Sequence, residues 1–210
     1  MTEDKRRVNL LHWNYFLALE RDLEVASRYV EFDKANFKTY SIELARLLFA
    51  AASEVDVLAK ALCALFVPSA QPAGMDEYRV RLVEHLPRLM DMEAVIPRYG
   101  LSFAPWKEWR NDRNPDWWTK YNDVKHQRDR LFHEGNLRSA LHAMSGLLTI
   151  TFQFYRYAFT DVDGKLPSSK ATTDLLDPKS SLLLLPGSYY YDNLVTGYDN
   201  EPTEYFTRPT

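Results

Sequence analysis

The side chains that could do chemistry in this chain are concentrated in residues 121–136, YNDVKHQRDRLFHEGN. The segment holds an amide, a lysine, two histidines and two arginines: Asn122, Lys125, His126, Arg128, Arg130 and His133. Histidine transfers protons near neutral pH, and arginine presents a planar fork of donors that matches a phosphate. We therefore interpret the segment as a candidate site for proton transfer beside a bound anion.

Metal-independent cleavage of RNA is a reaction that this set of side chains would suit. It needs a base for the ribose 2′-hydroxyl proton, an acid for the leaving oxygen, and a cation for the charge that builds on the phosphate. The candidate catalytic residues are Arg128, His133 and His126. The expected ligand-binding residues are then Asn122, Lys125 and Arg130.

Helical spacing predicts where these side chains would lie. If the segment is helical throughout, one continuous stripe is formed by Asn122, His126, Arg130 and His133. Lys125 and Arg128 would occupy an adjacent stripe. Arg128 and His133 would lie about 140° apart around an ideal helix, so they would converge on one ligand only if the helix kinks before Gly135.

Two other interpretations of the segment remain open. A charged run on a helix is often a solvated face whose ion pairs are each worth about 0.3 kcal/mol, and a histidine in a last helical turn can simply favour the helix dipole. Alternatively, the donors hold a nucleotide, an acidic peptide or a partner protein without turnover. Binding that weakens with salt and yields no RNA product would favour this non-catalytic role.

The rest of the chain offers less for catalysis. Glu54, Asp56 and Lys60 share the polar face of a predicted helix, where Asp56 and Lys60 are spaced as an ordinary i, i+4 pair. The histidines show no metal-ligand spacing with a cysteine or with paired carboxylates. There is no phosphate-binding glycine loop, nucleophile elbow or dinucleotide fingerprint. We predict no metal site and no cofactor.

Apolar periodicity predicts the helices of the first half of the chain. A first amphipathic helix is expected from Trp13 to Val30. The longest is expected over residues 42–66, IELARLLFAAASEVDVLAKALCALF, whose polar positions fall within an arc of about 160°. A shorter helix is predicted within residues 75–90. Pro and Gly in AVIPRYGLSFAPW then favour a loop or a small ribbon.

Capping residues predict how the candidate segment is held. Asn114 is a predicted N-cap with Pro115 in the first helical position. Gly135 is predicted to end this helix in a left-handed conformation, and Asn136 to cap the next helix, which runs from Leu137 to about residue 159. Because almost every position of that last helix is apolar or small, we expect it to be central in a bundle.

The sequence changes in character after residue 160. SLLLLPGSYYYD places Pro-Gly between a leucine run and a tyrosine run, which predicts a β-hairpin packed on the bundle, and NEPTEYFTRPT is typical of a loosely held tail. We predict a mainly α fold, with a four-to-five-helix bundle in residues 1–160 and a C-terminal extension in residues 161–210 that carries the small hairpin.

Charge and composition limit the classes of partner. The net charge is −3, and residues 161–210 hold eight acidic against four basic residues, so any contact with nucleic acid must be local. No stretch approaches the roughly 20 apolar residues that a bilayer crossing needs. The N-terminus lacks the features of a secretion signal, and the single Cys63 excludes an internal disulfide. We expect a soluble cytoplasmic protein that does not enter a membrane.

The helix pair around the candidate segment resembles the HEPN superfamily of helical nucleotide-binding domains. The likeness is carried by SIELARLLFAAASEVDVLAKAL and by WWTKYNDVKHQRDRLFHEGNLRSALHAMSGLL, and it looks especially like bacterial proteins with a WW..YN..KH.R pattern. It spans roughly residues 11–160. Nucleases of the superfamily use an arginine, an adjacent polar residue, and a histidine four to six positions after the arginine. Arg128, Asp129 and His133 fit that spacing. The resemblance implies that Arg128 binds the scissile phosphate and His133 transfers the proton, with His126 as a supplement.

A second register of the same motif remains open. Asn122 and His126 match the form Arg-Asn-x-x-x-His, but Tyr121 then stands in the place of the arginine. The resemblance implies a bacterial role in stress response or phage defence, such as a toxin–antitoxin system. It also implies a metal-independent endoribonuclease whose site is completed across a homodimer, if the protein is active. The expected partners are thus RNA or a nucleotide, a second copy, or a partner protein.

Overall fold

A computed structural model of the protein describes residues 8–69, 72–187 and 189. Within these ranges the chain forms seven α-helices and one two-stranded antiparallel sheet. The helices are α1 Leu11–Ala26, α2 Ile42–Phe66, α3 Met75–His85, α4 Asp116–His126, α5 Arg128–Leu131, α6 Leu137–Ala158 and α7 Ser169–Leu175, and the strands are β1 Ala94–Ile96 and β2 Leu101–Phe103. The prediction of a mainly α fold is confirmed. The HEPN-like arrangement of the bundle stays a prediction.

Helices α2 and α6 form the centre of the molecule, and they pack against each other more extensively than any other pair of described elements. Both begin where the sequence predicts. The Ser41 hydroxyl accepts a hydrogen bond from the Leu44 amide at 3.1 Å, and the Asn136 side chain accepts one from the Ser139 amide at 3.1 Å. These side chains satisfy amide groups that have no partner within a first helical turn. The predicted bounds of α2 and the predicted cap of α6 are confirmed.

Helix α1 packs against both central helices, and its buried side includes Trp13, Phe16 and Leu23. It ends at Ala26, four residues earlier than predicted. The Ser27 hydroxyl donates a hydrogen bond to the Glu24 carbonyl at 2.7 Å, which satisfies a carbonyl near the helix end.

The predicted ribbon after α3 is present as β1 and β2, with Val95 opposite Ser102. Gly100 supplies the left-handed residue of the turn, with φ 61°. A layer of buried tryptophans follows the ribbon. The Trp106 indole donates to the Thr149 hydroxyl at 2.8 Å, and the Trp117 indole donates to the Pro105 carbonyl at 2.9 Å. These hydrogen bonds fix the loop before α4 against α6.

The C-terminal extension shares the core of the bundle. Leu176, Leu182 and Leu183 are buried in the same hydrophobic cluster as the residues of α1 and α6. In the described residues the leucine run forms one antiparallel bridge, from Leu184 to Val95 of β1. The tyrosine half of the predicted hairpin and the predicted tail lie almost wholly outside the described residues, so the hairpin and the boundary at residue 160 stay predictions.

Hydropathy gives no membrane-crossing helix among the described residues, since none of them combines the length and the apolar composition that a bilayer span requires.

Candidate functional site

Helix α4 carries the first half of the candidate segment and begins one residue later than predicted. Pro115 is its N-cap residue, and Asp116 lies in the first turn, where a carboxylate favours the helix dipole. Asn114 does not cap the helix, which corrects the prediction. Its side-chain oxygen accepts a hydrogen bond from Arg79 at 3.4 Å, so α3 holds the entry to α4.

The candidate segment is not one continuous helix. Gln127 has φ −136° and ψ 45°, which ends α4 at His126, and the short helix α5 is followed by a 3₁₀ turn over residues 132–134. The predicted single stripe from Asn122 to His133 is therefore wrong. The break turns the chain so that Arg128 and His133 do not follow the helical spacing from α4.

Gly135 ends this segment with φ −76° and ψ 52°, so its predicted left-handed conformation is wrong. A different constraint explains the glycine. A Cβ atom added at Gly135 would lie 2.8 Å from the Ala45 Cβ atom of α2. The absence of a side chain thus permits the close approach of the segment to α2.

Two cations of the segment lie over two aromatic rings that contact each other. Phe49 of α2 meets Tyr121 of α4 edge to face, with 5.2 Å between ring centroids. The Lys125 ammonium lies 5.4 Å from the centre of the Tyr121 ring, and the Arg128 guanidinium carbon lies 5.3 Å from the centre of the Phe49 ring. We call Phe49, Trp118, Tyr121, Lys125 and Arg128 the cation–aromatic surface. The Trp118 ring packs against the Tyr121 ring, with 5.2 Å between their centroids.

Lys125 and Arg128 are exposed, and no carboxylate among the described residues forms an ion pair with either. Neighbouring Lys120 differs. Its ammonium donates to Glu134 at 3.0 Å and lies 3.8 Å from Asp123, and the hydrogen bond to Glu134 raises the pKa of Lys120 above its usual value. Lys120, immediately before the segment, is therefore neutralised, whereas Lys125 and Arg128 within the segment keep charges that are available to a ligand.

The three predicted catalytic residues are exposed but are not joined to one another. His126, Arg128 and His133 make no mutual hydrogen bond or ion pair in the described part of the chain. The His133 imidazole lies 3.8 Å from Glu134, its neighbour in sequence. The geometry presents these groups to solvent and leaves them available to a ligand.

The remaining predicted ligand-binding residues differ in exposure. Arg130 is exposed, and its guanidinium lies 3.7 Å from the adjacent Asp129 carboxylate. Asn122 is half-buried, and its side chain forms no hydrogen bond within the described residues. Neither Asn122 nor His126 therefore shows the buried, hydrogen-bonded environment that a purely structural role would require.

Phe49 is the member of the cation–aromatic surface that sequence reasoning did not identify. The available signal is its position, since Phe49 falls inside the polar arc of α2, between Asp56 and Lys60 around the helix axis. An aromatic residue within a polar arc indicates a second contact surface. Here Phe49 contacts α4 through Tyr121.

The polar face of α2 holds two further groups. Lys60 and Asp56 form the predicted i, i+4 ion pair at 2.5 Å, and Tyr78 donates to Asp56 at 2.8 Å. Glu54 instead pairs with His12 of α1 at 2.5 Å. Among the described residues no group of three or more histidine, cysteine or acidic side chains could hold a metal ion. The Tyr78–Asp56 and His12–Glu54 contacts join α2 to α3 and to α1.

The chain matches no protein-family model, and comparisons with curated proteins and with solved structures give no match either.

Proposed function

We propose that the cation–aromatic surface binds single-stranded RNA in the cytoplasm of a bacterium. The observation that carries this proposal is the pair of uncompensated cations held over two contacting rings: Lys125 over Tyr121, and Arg128 over Phe49. Because a ring restricts each long side chain, less conformational freedom is lost when the cations meet a phosphate. Proteins that bind single strands combine such cations with aromatic side chains.

The chemistry of the two cations suits consecutive parts of one RNA strand. Arg128 presents a planar fork to a phosphate and a flat outer face to a base. Lys125 supplies a compact charge for a neighbouring phosphate. Arg130, His126 and His133 are exposed beside them and extend the same surface along the strand. An acidic peptide would engage the charges but offers no base to stack on the outer face of the Arg128 guanidinium.

Fluorescence anisotropy with a labelled uridine 12-mer, in the presence of a metal chelator, tests the proposal. We expect wild-type protein to bind, and the double variant Lys125→Ala with Arg128→Ala to bind at least tenfold more weakly. The matched control is Lys60→Ala, because Lys60 is also an exposed cation of the bundle but is paired with Asp56. Its affinity should equal that of the wild type.

Conservative substitutions at the same surface make the test sharper. Arg128→Lys keeps the charge but loses the planar fork, so its affinity should fall between those of the wild type and Arg128→Ala. Equal binding by the wild type and the double variant would overturn the proposal. Absence of RNA binding by the wild type would favour docking of a partner protein.

RNA cleavage is a second candidate function of the surface. It is favoured by the exposure of His126 and His133, which precede and follow Arg128 in the sequence and which could exchange protons with a bound strand. The resemblance to HEPN nucleases implies that a second copy completes such a site. Products should then form from end-labelled RNA in chelator and disappear with His133→Ala. Cleavage that survives both His133→Ala and Arg128→Ala would assign the activity elsewhere.

A further inference from the structure

The described residues of the C-terminal extension do not fill the space between this part of the chain and the bundle. A cavity of about 230 Å³ lies between the extension, α1 and α6. Its walls are mostly aromatic and aliphatic, and they include Trp13, Leu148, Phe152, Leu176, Leu183 and Leu185. The cavity is separate from the proposed RNA-binding site, because none of its lining residues belongs to the cation–aromatic surface.

The walls of this cavity are held in place by hydrogen bonds at several points. The Trp13 indole donates to the Pro178 carbonyl at 2.8 Å. The Leu183 amide donates to the Glu20 carboxylate at 2.8 Å, and the Leu184 amide donates to the Val95 carbonyl at 2.9 Å. These bonds hold residues 178, 183 and 184 against α1 and β1, so these residues cannot move into the cavity without breaking them.

The polar groups that line the cavity already have partners. The Lys179 ammonium donates to the carbonyls of Thr173, Asp174 and Leu176 at 2.6, 2.9 and 2.8 Å, which uses its three donors. The Thr173 hydroxyl donates to the Ser169 carbonyl at 3.1 Å. A carboxylate in this cavity would therefore find no free hydrogen-bond donor on Lys179 or Thr173, so its burial would be costly.

Size and lining together define the class of ligand. Protein interiors contain few voids larger than a water molecule, and an apolar cavity of about 150 Å³ stays dry and binds benzene. The present cavity is larger, but it is below the roughly 300 Å³ at which drug-sized ligands are usually bound. We propose that it binds a neutral, predominantly apolar molecule of one or two aromatic rings, stacked among Trp13 and Phe152.

Isothermal titration of the full chain with toluene, with indole and with benzoate tests this proposal. Toluene and indole should bind saturably at one site. Benzoate has nearly the shape of toluene but carries a charge, so it should bind at least tenfold more weakly. Benzoate affinity equal to that of toluene would contradict a neutral ligand, and failure of both toluene and indole to saturate would overturn the site itself.

Filling the cavity provides the location test. Leu148→Phe adds ring atoms to the wall and should weaken toluene binding at least tenfold. The matched control Leu65→Phe adds the same atoms at an exposed position of α2 and should leave the affinity unchanged. If Leu148→Phe does not fold, Thr173→Leu narrows the same cavity from α7. Wild-type affinity in the folded cavity-filling variants would exclude the cavity as the binding site.

Discussion

His142 is the histidine whose surroundings most clearly disfavour its charged form. It is half-buried in α6, and its ring meets Phe103 edge to face at 4.8 Å. Burial is the largest of the effects that lower the pKa of His142 to about 4; the nearby charges of Arg138 and Lys107 act in the same direction, against an opposing effect of Asp116. Folding therefore favours the neutral imidazole.

This environment predicts a loss of stability in acid. In the unfolded chain a histidine has a pKa of about 6.5. As the pH falls from about 6.5 towards 4, the unfolded state takes up a proton that the folded state resists, so the free energy of unfolding should fall by on the order of 2 to 3 kcal/mol. His142→Gln removes this titration. Urea unfolding at pH 7.5 and pH 4.5 should show a smaller acid loss for the variant, and parallel losses would contradict the prediction.

At the scale of single residues, sequence reasoning identified the polar types of the candidate site but not their common support. Lys125 and Arg128 were recognised from composition and spacing. Phe49 was not, because its partner Tyr121 lies more than 70 positions away along the chain and no local pattern pairs them. Contacts between distant elements decide which exposed cations are held in one place.

At the scale of elements, Glu20 attaches the C-terminal extension to α1. Its carboxylate is buried, and it accepts hydrogen bonds from the Ser180 hydroxyl and from the amides of Ser181, Leu182 and Leu183 at 2.5, 3.2, 3.0 and 2.8 Å. No cation pairs with it among the described residues. Four donors from one loop therefore hold the charge inside the protein.

Glu20→Ala should detach this loop. The substitution leaves the amides of residues 181–183 without an acceptor, and each buried unsatisfied donor costs about 1 to 3 kcal/mol, so we expect a total loss of about 2 to 4 kcal/mol after the loop partly rehydrates. Hydrogen exchange at these amides should accelerate. The matched control is Glu24→Ala, one turn along α1. The Glu24 carboxylate is exposed, and its oxygen lies 3.9 Å from a nitrogen of the exposed Arg98 guanidinium. Its effect should stay below about 1 kcal/mol.

The unfolding free energies of these two variants and hydrogen exchange at residues 181–183 decide whether Glu20 holds this loop. Equal losses for Glu20→Ala and Glu24→Ala would mean that the buried hydrogen bonds contribute no more than a surface ion pair. Unchanged exchange at residues 181–183 would mean that other contacts alone hold the loop. Either result would contradict the role assigned to Glu20.

Element boundaries were predictable where local chemistry sets them and not where distant contacts do. Ser41 and the apolar period define α2 completely. The break at Gln127 has no proline or glycine to announce it. It follows instead from the loop before α2: Phe132 packs edge to face against Tyr40 at 6.0 Å, and the Leu137 amide donates to the Thr39 carbonyl at 2.8 Å. These contacts draw the chain away from the axis of α4.

At the scale of the whole molecule, the charge distribution limits how nucleic acid could bind. The net charge is −3, and the C-terminal fifty residues carry twice as many acidic as basic groups. A strand that approaches the protein therefore meets no general attraction, and binding must depend on a few local cations. The cation–aromatic surface supplies two of them, and Arg130, whose guanidinium lies 3.7 Å from the exposed Asp129 carboxylate, supplies a third.

The salt dependence of RNA binding measures how many cations contact phosphates. For single strands the logarithm of the binding constant falls with the logarithm of salt concentration with a slope of about −0.7 per phosphate contact, so Lys125, Arg128 and Arg130 predict a slope of about −2. Arg128→Ala should make the slope shallower by about 0.7, whereas Lys60→Ala should leave it unchanged. Anisotropy titrations of the uridine 12-mer between about 50 and 200 mM salt give both slopes. A wild-type slope steeper than about −5 would require a larger basic surface than these three residues form, and an unchanged slope in Arg128→Ala would place the phosphate contact elsewhere.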